Sequence, residues 1–237
     1  MNAPDNAAAE APDLTEALGR HTAALLATAR TLEHIDAASL CPGWSRGHVL
    51  THVARNADAL ARLAQGALTG VPVPMYPGGT AGRNAEIEEG ARRPLDDLVA
   101  DVSVSAEALA PSLGRLRSHA VSEWVEMRGG QRIPATALPT LRLREVVYHH
   151  VDLDAGFTFD DVEPALVVEF LRDEVDRLAE NAAAPPLVLR PDGHPDLVVG
   201  VGGPVVTGGP AALLLWLARG SATELTADPL PDLPQGS

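Results

Sequence analysis

The stretch Leu141-Arg142-Leu143-Arg144-Glu145-Val146-Val147-Tyr148-His149-His150-Val151-Asp152-Leu153 decides the fold. Its apolar residues Leu141, Leu143, Val146, Val147 and Val151 spread around most of a helical circumference, so little of this helix can face water. Such a segment gains its stability from neighbours packed on several sides, which predicts a helical bundle rather than a lone surface helix. Pro139 breaks the chain just ahead, and Thr140 is a candidate N-cap, so the helix is expected from Thr140 to about Leu153. The same stretch carries Glu145 and His149 four residues apart. On a helix that spacing stacks a carboxylate and an imidazole one turn apart on one face. A carboxylate on a mostly buried helix needs a cation, and a metal ion is one such cation. Arg142 and Arg144 offer the plainer alternative of an ordinary ion pair.

Working outward, Asp13 is a candidate cap for a helix reaching about Ile35, with Leu14, Leu18, Leu25 and Leu32 near helical spacing. Pro42-Gly43 interrupts the chain. Ser45 then caps a second long helix, to about Leu68, whose buried stripe is Val49, Val53, Ala57, Leu60 and Ala64. His52 and Asn56 border that stripe. Residues 69–82 are rich in Gly and Pro and read as a long loop, followed by a short helix over Asn84 to Ala91. A third long helix is expected from Pro94 to Ala110, ending before Pro111. Trp124 to Arg132 reads as a hairpin turning at Gly129-Gly130. Beyond Gly156 the texture changes. Pro164 to Asn181 is amphipathic. Leu187-Val188-Leu189, Leu197-Val198-Val199 and Val205-Val206-Thr207 read as strands, Pro210 to Arg219 as a compact apolar helix, and Glu224 to Thr226 as a last strand. The tail from Asp228 is expected to be irregular. The organisation expected is thus an up-and-down helical bundle over residues 1–155 and a small α+β domain over residues 156–237.

Composition narrows the function classes. A net charge of −14 argues against nucleic acid or an anionic membrane as partner. No apolar run approaches the length of a membrane span. Met1 to Pro12 is acidic and Ala-rich and does not read as a signal peptide. Cys41 is the single cysteine, which excludes an intrachain disulfide and fits a reducing cytoplasm. All 18 basic residues are arginine. Schiff-base chemistry and a P-loop lysine are therefore excluded. A lysine-free, Ala- and Arg-rich chain is also what a high-GC genome produces.

His52 and the Glu145/His149 pair lie on two different expected helices, which can bring two imidazoles and one carboxylate together. Three protein ligands with one position open is the composition of a catalytic zinc site. His48 stands four residues before His52, and His150 beside His149. Periodicity does not choose among them. Cys41 reads as a small buried hydrophobe ahead of a helix rather than a nucleophile. There is no Gly-x-Ser-x-Gly elbow. The glycine-rich segment Gly200 to Gly209 lies between expected strands, where turns explain it.

Several segments resemble one known family. Gly43-Trp44-Ser45-Arg46, His52-Val53-Ala54 with Asn56, Pro74-Met75-Tyr76, and Arg83-Asn84 with Glu86-Ile87 resemble the mycothiol-dependent maleylpyruvate isomerases. These belong to the DinB-like thiol-dependent metalloenzymes. The likeness continues through Ile133-Pro134-Ala135, Arg144-Glu145-Val146 with His149, Val151-Asp152-Leu153, and Ala218-Arg219-Gly220-Ser221. Ala218 stands where the family pattern has glycine. The resemblance implies a DinB-like four-helix bundle holding a zinc ion and a C-terminal domain like that of sterol carrier proteins. It places the zinc ligands at His52, Glu145 and His149, rather than His48 or His150, and a catalytic arginine at Arg219.

The reaction implied is the cis–trans isomerisation of maleylpyruvate to fumarylpyruvate in gentisate breakdown, with mycothiol as thiol cosubstrate. The borrowed thiol would explain why one ill-placed cysteine suffices. The substrate carries carboxylates while the chain is acidic, so local arginines must recruit it; Arg219 is the first candidate and Arg83 the second. Small molecules are then the expected partners, with neither nucleic acid nor membrane, and nothing in the chain fixes an oligomeric state. The alternatives are a mycothiol S-transferase acting on another electrophile and a non-catalytic ligand-binding protein.

Overall fold

The computed structural model describes residues 14–234. Asp13, the expected cap of the first helix, lies outside them. Among the described residues are seven α-helices and two small sheets, and no helix is long and apolar enough to cross a membrane. The chain groups into two units. The first holds residues 14–36 and Arg46–His149; the second holds Ala37–Ser45 and 150–234.

In the first unit, α1 spans Leu14–Ala29 and α2 spans Arg46–Thr69. Helix α1 stops short of Ile35. The amides of Thr31 and Leu32 turn back to carbonyls three residues earlier, and the Thr31 hydroxyl donates to the Thr28 carbonyl. That tightening ends the α-helical ladder. Helix α2 is buried along most of its length: Val49, Val53, Ala57, Leu60 and Ala64 face the core, and so do His52 and Asn56. The small residues on α2 allow close approach. A Cβ on Gly47 would stand 2.3 Å from the Ala91 carbonyl oxygen, so only glycine fits there.

Helix α3 covers Gly79–Gly90. It begins five residues before the expected Asn84, so the connecting loop is shorter than residues 69–82 and Arg83 sits on a helix. Helix α4 runs Leu95–His119 with Pro111 inside it. The expected stop before Pro111 does not occur. Proline removes one ladder bond, but Leu109 on one side and Leu113 and Leu116 on the other are held in one core cluster with Ala57, Leu60 and Leu63 of α2. That shared burial carries the helix across the break. Strands β1 (Trp124–Glu126) and β2 (Arg132–Pro134) form the expected antiparallel hairpin, with Gly129 and Gly130 at positive φ in the turn. A 3-10 turn over Ala135–Ala137 leads into α5, Leu138–Asp152. The start at Leu138 corrects the expected cap at Thr140. Pro139 falls in the first turn, where a missing N–H is harmless.

In the second unit, α6 spans Pro164–Glu180 and α7 spans Pro210–Arg219. Strands β3 (Leu187–Pro191), β4 (Leu197–Val199) and β5 (Val205–Gly208) form one sheet in the order β4-β3-β5. Strand β3 pairs antiparallel with β4 and parallel with β5. Leu187 and Leu189 are buried with Val199 and Val206, as are Phe170 and Leu171 of α6 and Leu213, Leu214 and Trp216 of α7. The expected last strand is a single bridge, Thr207 to Thr226, and the chain beyond Asp228 is irregular as far as it is described.

The route from β4 to β5 must pass the start of β3, and Gly203 makes the crossing. Its φ is +98°, and a Cβ there would lie 1.9 Å from the Pro186 carbonyl oxygen. Gly202 has φ +74° but open space around it. Gly202→Ala is expected to cost about 1–2 kcal/mol, the left-handed backbone penalty alone. Gly203→Ala should cost at least about 3 kcal/mol, because backbone must also move. Urea unfolding of the two variants measures the difference; equal losses would refute the close crossing.

Candidate metal centre

The first unit brings three of the singled-out side chains together. Helix α2 holds His52 and α5 holds Glu145 and His149, and one ligand atom from each lies within 4.8 Å of the others. Glu145 Oε2 stands 3.0 Å from His52 Nε2 and 3.5 Å from His149 Nε2. The two imidazole rings meet edge to face at 4.5 Å. Both histidines are largely shielded, while about a third of the Glu145 side chain reaches solvent.

Burial dominates the electrostatics of His52. It pulls the imidazole pKa down to about 4, helped by His149, and the Glu145 carboxylate only partly opposes this. Burial pushes Glu145 upward, yet hydrogen bonds from His149 and His52 hold its carboxyl well below the usual carboxylate range. At neutral pH the trio therefore contains a neutral His52 and an ionised Glu145. Arg83 Nη2 lies 3.1 Å from His52 Nδ1. A guanidinium only donates, so Nδ1 accepts and the ring proton sits on Nε2, facing Glu145.

A buried neutral imidazole makes the metal-free protein sensitive to acid. The unfolded chain takes up a proton near 6.5, which the folded His52 refuses until about pH 4. Stability present above pH 6.5 is lost as the pH falls through that window, and the lowered Glu145 value adds loss of the same sign below it. The expected loss is about 3 kcal/mol between pH 7 and pH 4. Urea midpoints of chelator-treated protein measure it; a flat profile would overturn the assignment.

The neighbouring candidates go elsewhere. His48 pairs with Glu88 on α3 at 3.3 Å. His150 belongs to the second unit, where it stacks on Phe157 with ring centroids 3.6 Å apart. Arg144 lies over the Tyr148 ring, 5.3 Å from its centroid. Arg142 is fully buried and donates from Nη1 to the Val53 carbonyl and to Asn56 Oδ1, tying α5 to α2 one turn beyond His52. The sequence held a signal for this brace: an arginine on a helix with almost no polar face. Arg83 also lies 5.9 Å over the Tyr76 ring, and burial raises the Tyr76 hydroxyl pKa.

Arg219 and Cys41 are in the second unit, and both meet Asp152. Arg219 donates from Nε and Nη2 to the two Asp152 carboxylate oxygens at 2.5 and 2.6 Å. Cys41 Sγ stands 3.1 Å from Asp152 Oδ2. Asp152 is completely buried, so this bidentate pair fixes Arg219 firmly.

The trio fits a zinc ion by its own dimensions. Ligand atoms on a tetrahedron with bonds of about 2.0–2.2 Å stand roughly 3.3–3.6 Å apart. The 3.0 and 3.5 Å separations lie close to that edge. The donor set of two imidazoles and a carboxylate also suits zinc, and three protein ligands leave a coordination position open.

The family described as the mycothiol maleylpyruvate isomerase N-terminal domain matches residues 4–154. The crystal structure of the mycothiol-dependent maleylpyruvate isomerase is 27% identical, with a TM-score of 0.86 over 93% of this chain and 95% of that one. The H52A mutant of that isomerase is similar to the same extent, at 26% identity with a TM-score of 0.86 over the same shares of the two chains. No curated protein sequence matches the chain.

Proposed function

The chain belongs to the mycothiol maleylpyruvate isomerase family, and from that premise we propose that it isomerises maleylpyruvate to fumarylpyruvate with mycothiol as cosubstrate. The observation that carries the reading is the His52–Glu145–His149 cluster, two buried imidazoles around one ionised carboxylate. In this reading the three side chains hold zinc, the first unit is a DinB-like four-helix bundle, and the second is a sterol-carrier-protein-like domain. The place of the reaction is gentisate breakdown in the cytoplasm.

A carbon–carbon double bond must become single before it can turn. The mycothiol sulfur, having lost its proton, adds to one alkene carbon, and the electron pair moves onto the conjugated carbonyl as an enolate. The new single bond rotates. The enolate then collapses and expels the sulfur, restoring a trans double bond with no net change of atoms or electrons. Zinc, when bound, supplies the Lewis acidity that keeps a coordinated thiol ionised at neutral pH.

The chain's own residues do the rest. Glu145 lowers the positive charge of the site and leaves the sulfur more nucleophilic than three histidines would. Were a metal held at His52 Nε2, the ring would carry its proton on Nδ1 and could no longer accept from Arg83. Arg83 would then be available to take a substrate carboxylate, as a charge-assisted hydrogen bond. Arg219, fixed by Asp152, is the arginine proposed to stabilise the enolate.

The deciding experiment supplies metal-replete protein with mycothiol and maleylpyruvate and follows the trans product by chromatography. Turnover that requires both supports the proposal. Absence of turnover with maleylpyruvate, beside thiol transfer to another electrophile, would establish the S-transferase instead.

A further inference from the structure

The first unit holds a cavity of about 260 Å³ between α1, α4 and the start of α5. Its walls are aliphatic: Leu18 and Leu26 of α1, and Leu109 and Leu113 of α4. Two charged residues line it, Arg142 and Glu107. Arg142 lines the cavity and is 99% buried, being 1% exposed. Nη1 donates to two neutral oxygens, the Val53 carbonyl and Asn56 Oδ1. Nη2 is buried and has no hydrogen-bond partner among the described residues.

A buried guanidinium without a carboxylate on it is costly, and natural folds satisfy such groups. Glu145 and Asp58 act on Arg142 only through space, and burial still brings its pKa down to about 10. It therefore stays charged at neutral pH beside an apolar space. We propose that this cavity is a binding site for a small apolar monocarboxylate, an aryl or branched alkyl acid whose carboxylate pairs with the Arg142 guanidinium. The volume exceeds the ~150 Å³ of a cavity known to hold benzene, so a single ring with its carboxylate fits. Glu107 also lines the cavity and disfavours a second negative charge on the ligand. The site does not depend on the reaction proposed above.

Titration calorimetry of the full, metal-replete protein with benzoate tests the site, with the neutral isostere benzamide as control. Benzoate is expected to bind one site with Kd below about 1 mM, and benzamide at least about tenfold more weakly. Gly19 lines the cavity, and a Cβ there meets nothing within 4 Å. Gly19→Leu should therefore fill the space without strain and abolish binding, while zinc content stays unchanged. Arg142→Met should bring benzoate and benzamide to equal affinity. Gly19→Leu keeps the test decisive if that variant does not fold. Equal binding of benzoate and benzamide to the unmodified protein, benzoate binding undiminished by Gly19→Leu, or no saturable binding would each overturn the proposal.

Discussion

Glu145→Ala protein is expected to lose zinc affinity by at least about a hundredfold, while His150→Ala keeps the unmodified content. Glu145 Oε2 stands between the two imidazoles, 3.0 Å from one and 3.5 Å from the other, and is ionised because both donate to it. In the proposed site its removal would take away the only anionic ligand and leave two neutral ones with two open positions. Loss of an outer-shell partner alone costs about 10–100-fold, and a direct ligand should cost more. His150 offers no such role, since its ring is stacked on Phe157 in the second unit. Chelator competition and metal analysis after dialysis give both numbers. Equal zinc in the two variants would refute the ligand set.

The second large effect concerns the source of sulfur. Withdrawing mycothiol from metal-replete protein should lower isomerisation by at least about a thousandfold, because nucleophilic catalysis is then absent. Cys41→Ala should change the rate little, since its thiol is engaged with the buried Asp152. Stopped assays with and without mycothiol, on both proteins, decide the matter. A chain that turns over without added thiol, or a Cys41→Ala variant without activity, would show that the sulfur is the protein's own.

Much of the helical order was legible because periodicity is local. Helix α2, the β1–β2 hairpin, α6, the three strands and α7 stand within a residue or two of their expected ends. The errors fall at proline and glycine, and at the end of α1, which stops short of Ile35. Pro111 lies inside α4 and Pro139 inside the first turn of α5, because a lost ladder bond is outweighed by core packing in one case and harmless in the other. Gly79 and Gly82 do not prevent α3 from starting early. The membership of Ala37–Ser45 in the second unit has no local signature; it rests on the Ala38–Ser45 bridge and on Leu40 N–H donating to the Asp152 carbonyl.

By itself the sequence determined what each helix could offer: an acid and an imidazole one turn apart on α5, imidazoles at His48 and His52 on α2, and an acidic, lysine-free chain. Helical spacing could not determine which of the four histidines share a point; only the family resemblance pointed to His52 and His149. That choice needs the rotation of α2 against α5 and the partner each ring finds. His48 finds Glu88, His150 finds Phe157, and His52 and His149 find Glu145. Helical spacing fixes a residue's direction only relative to its own axis, whereas convergence depends on packing between axes. Only the tertiary structure supplies that.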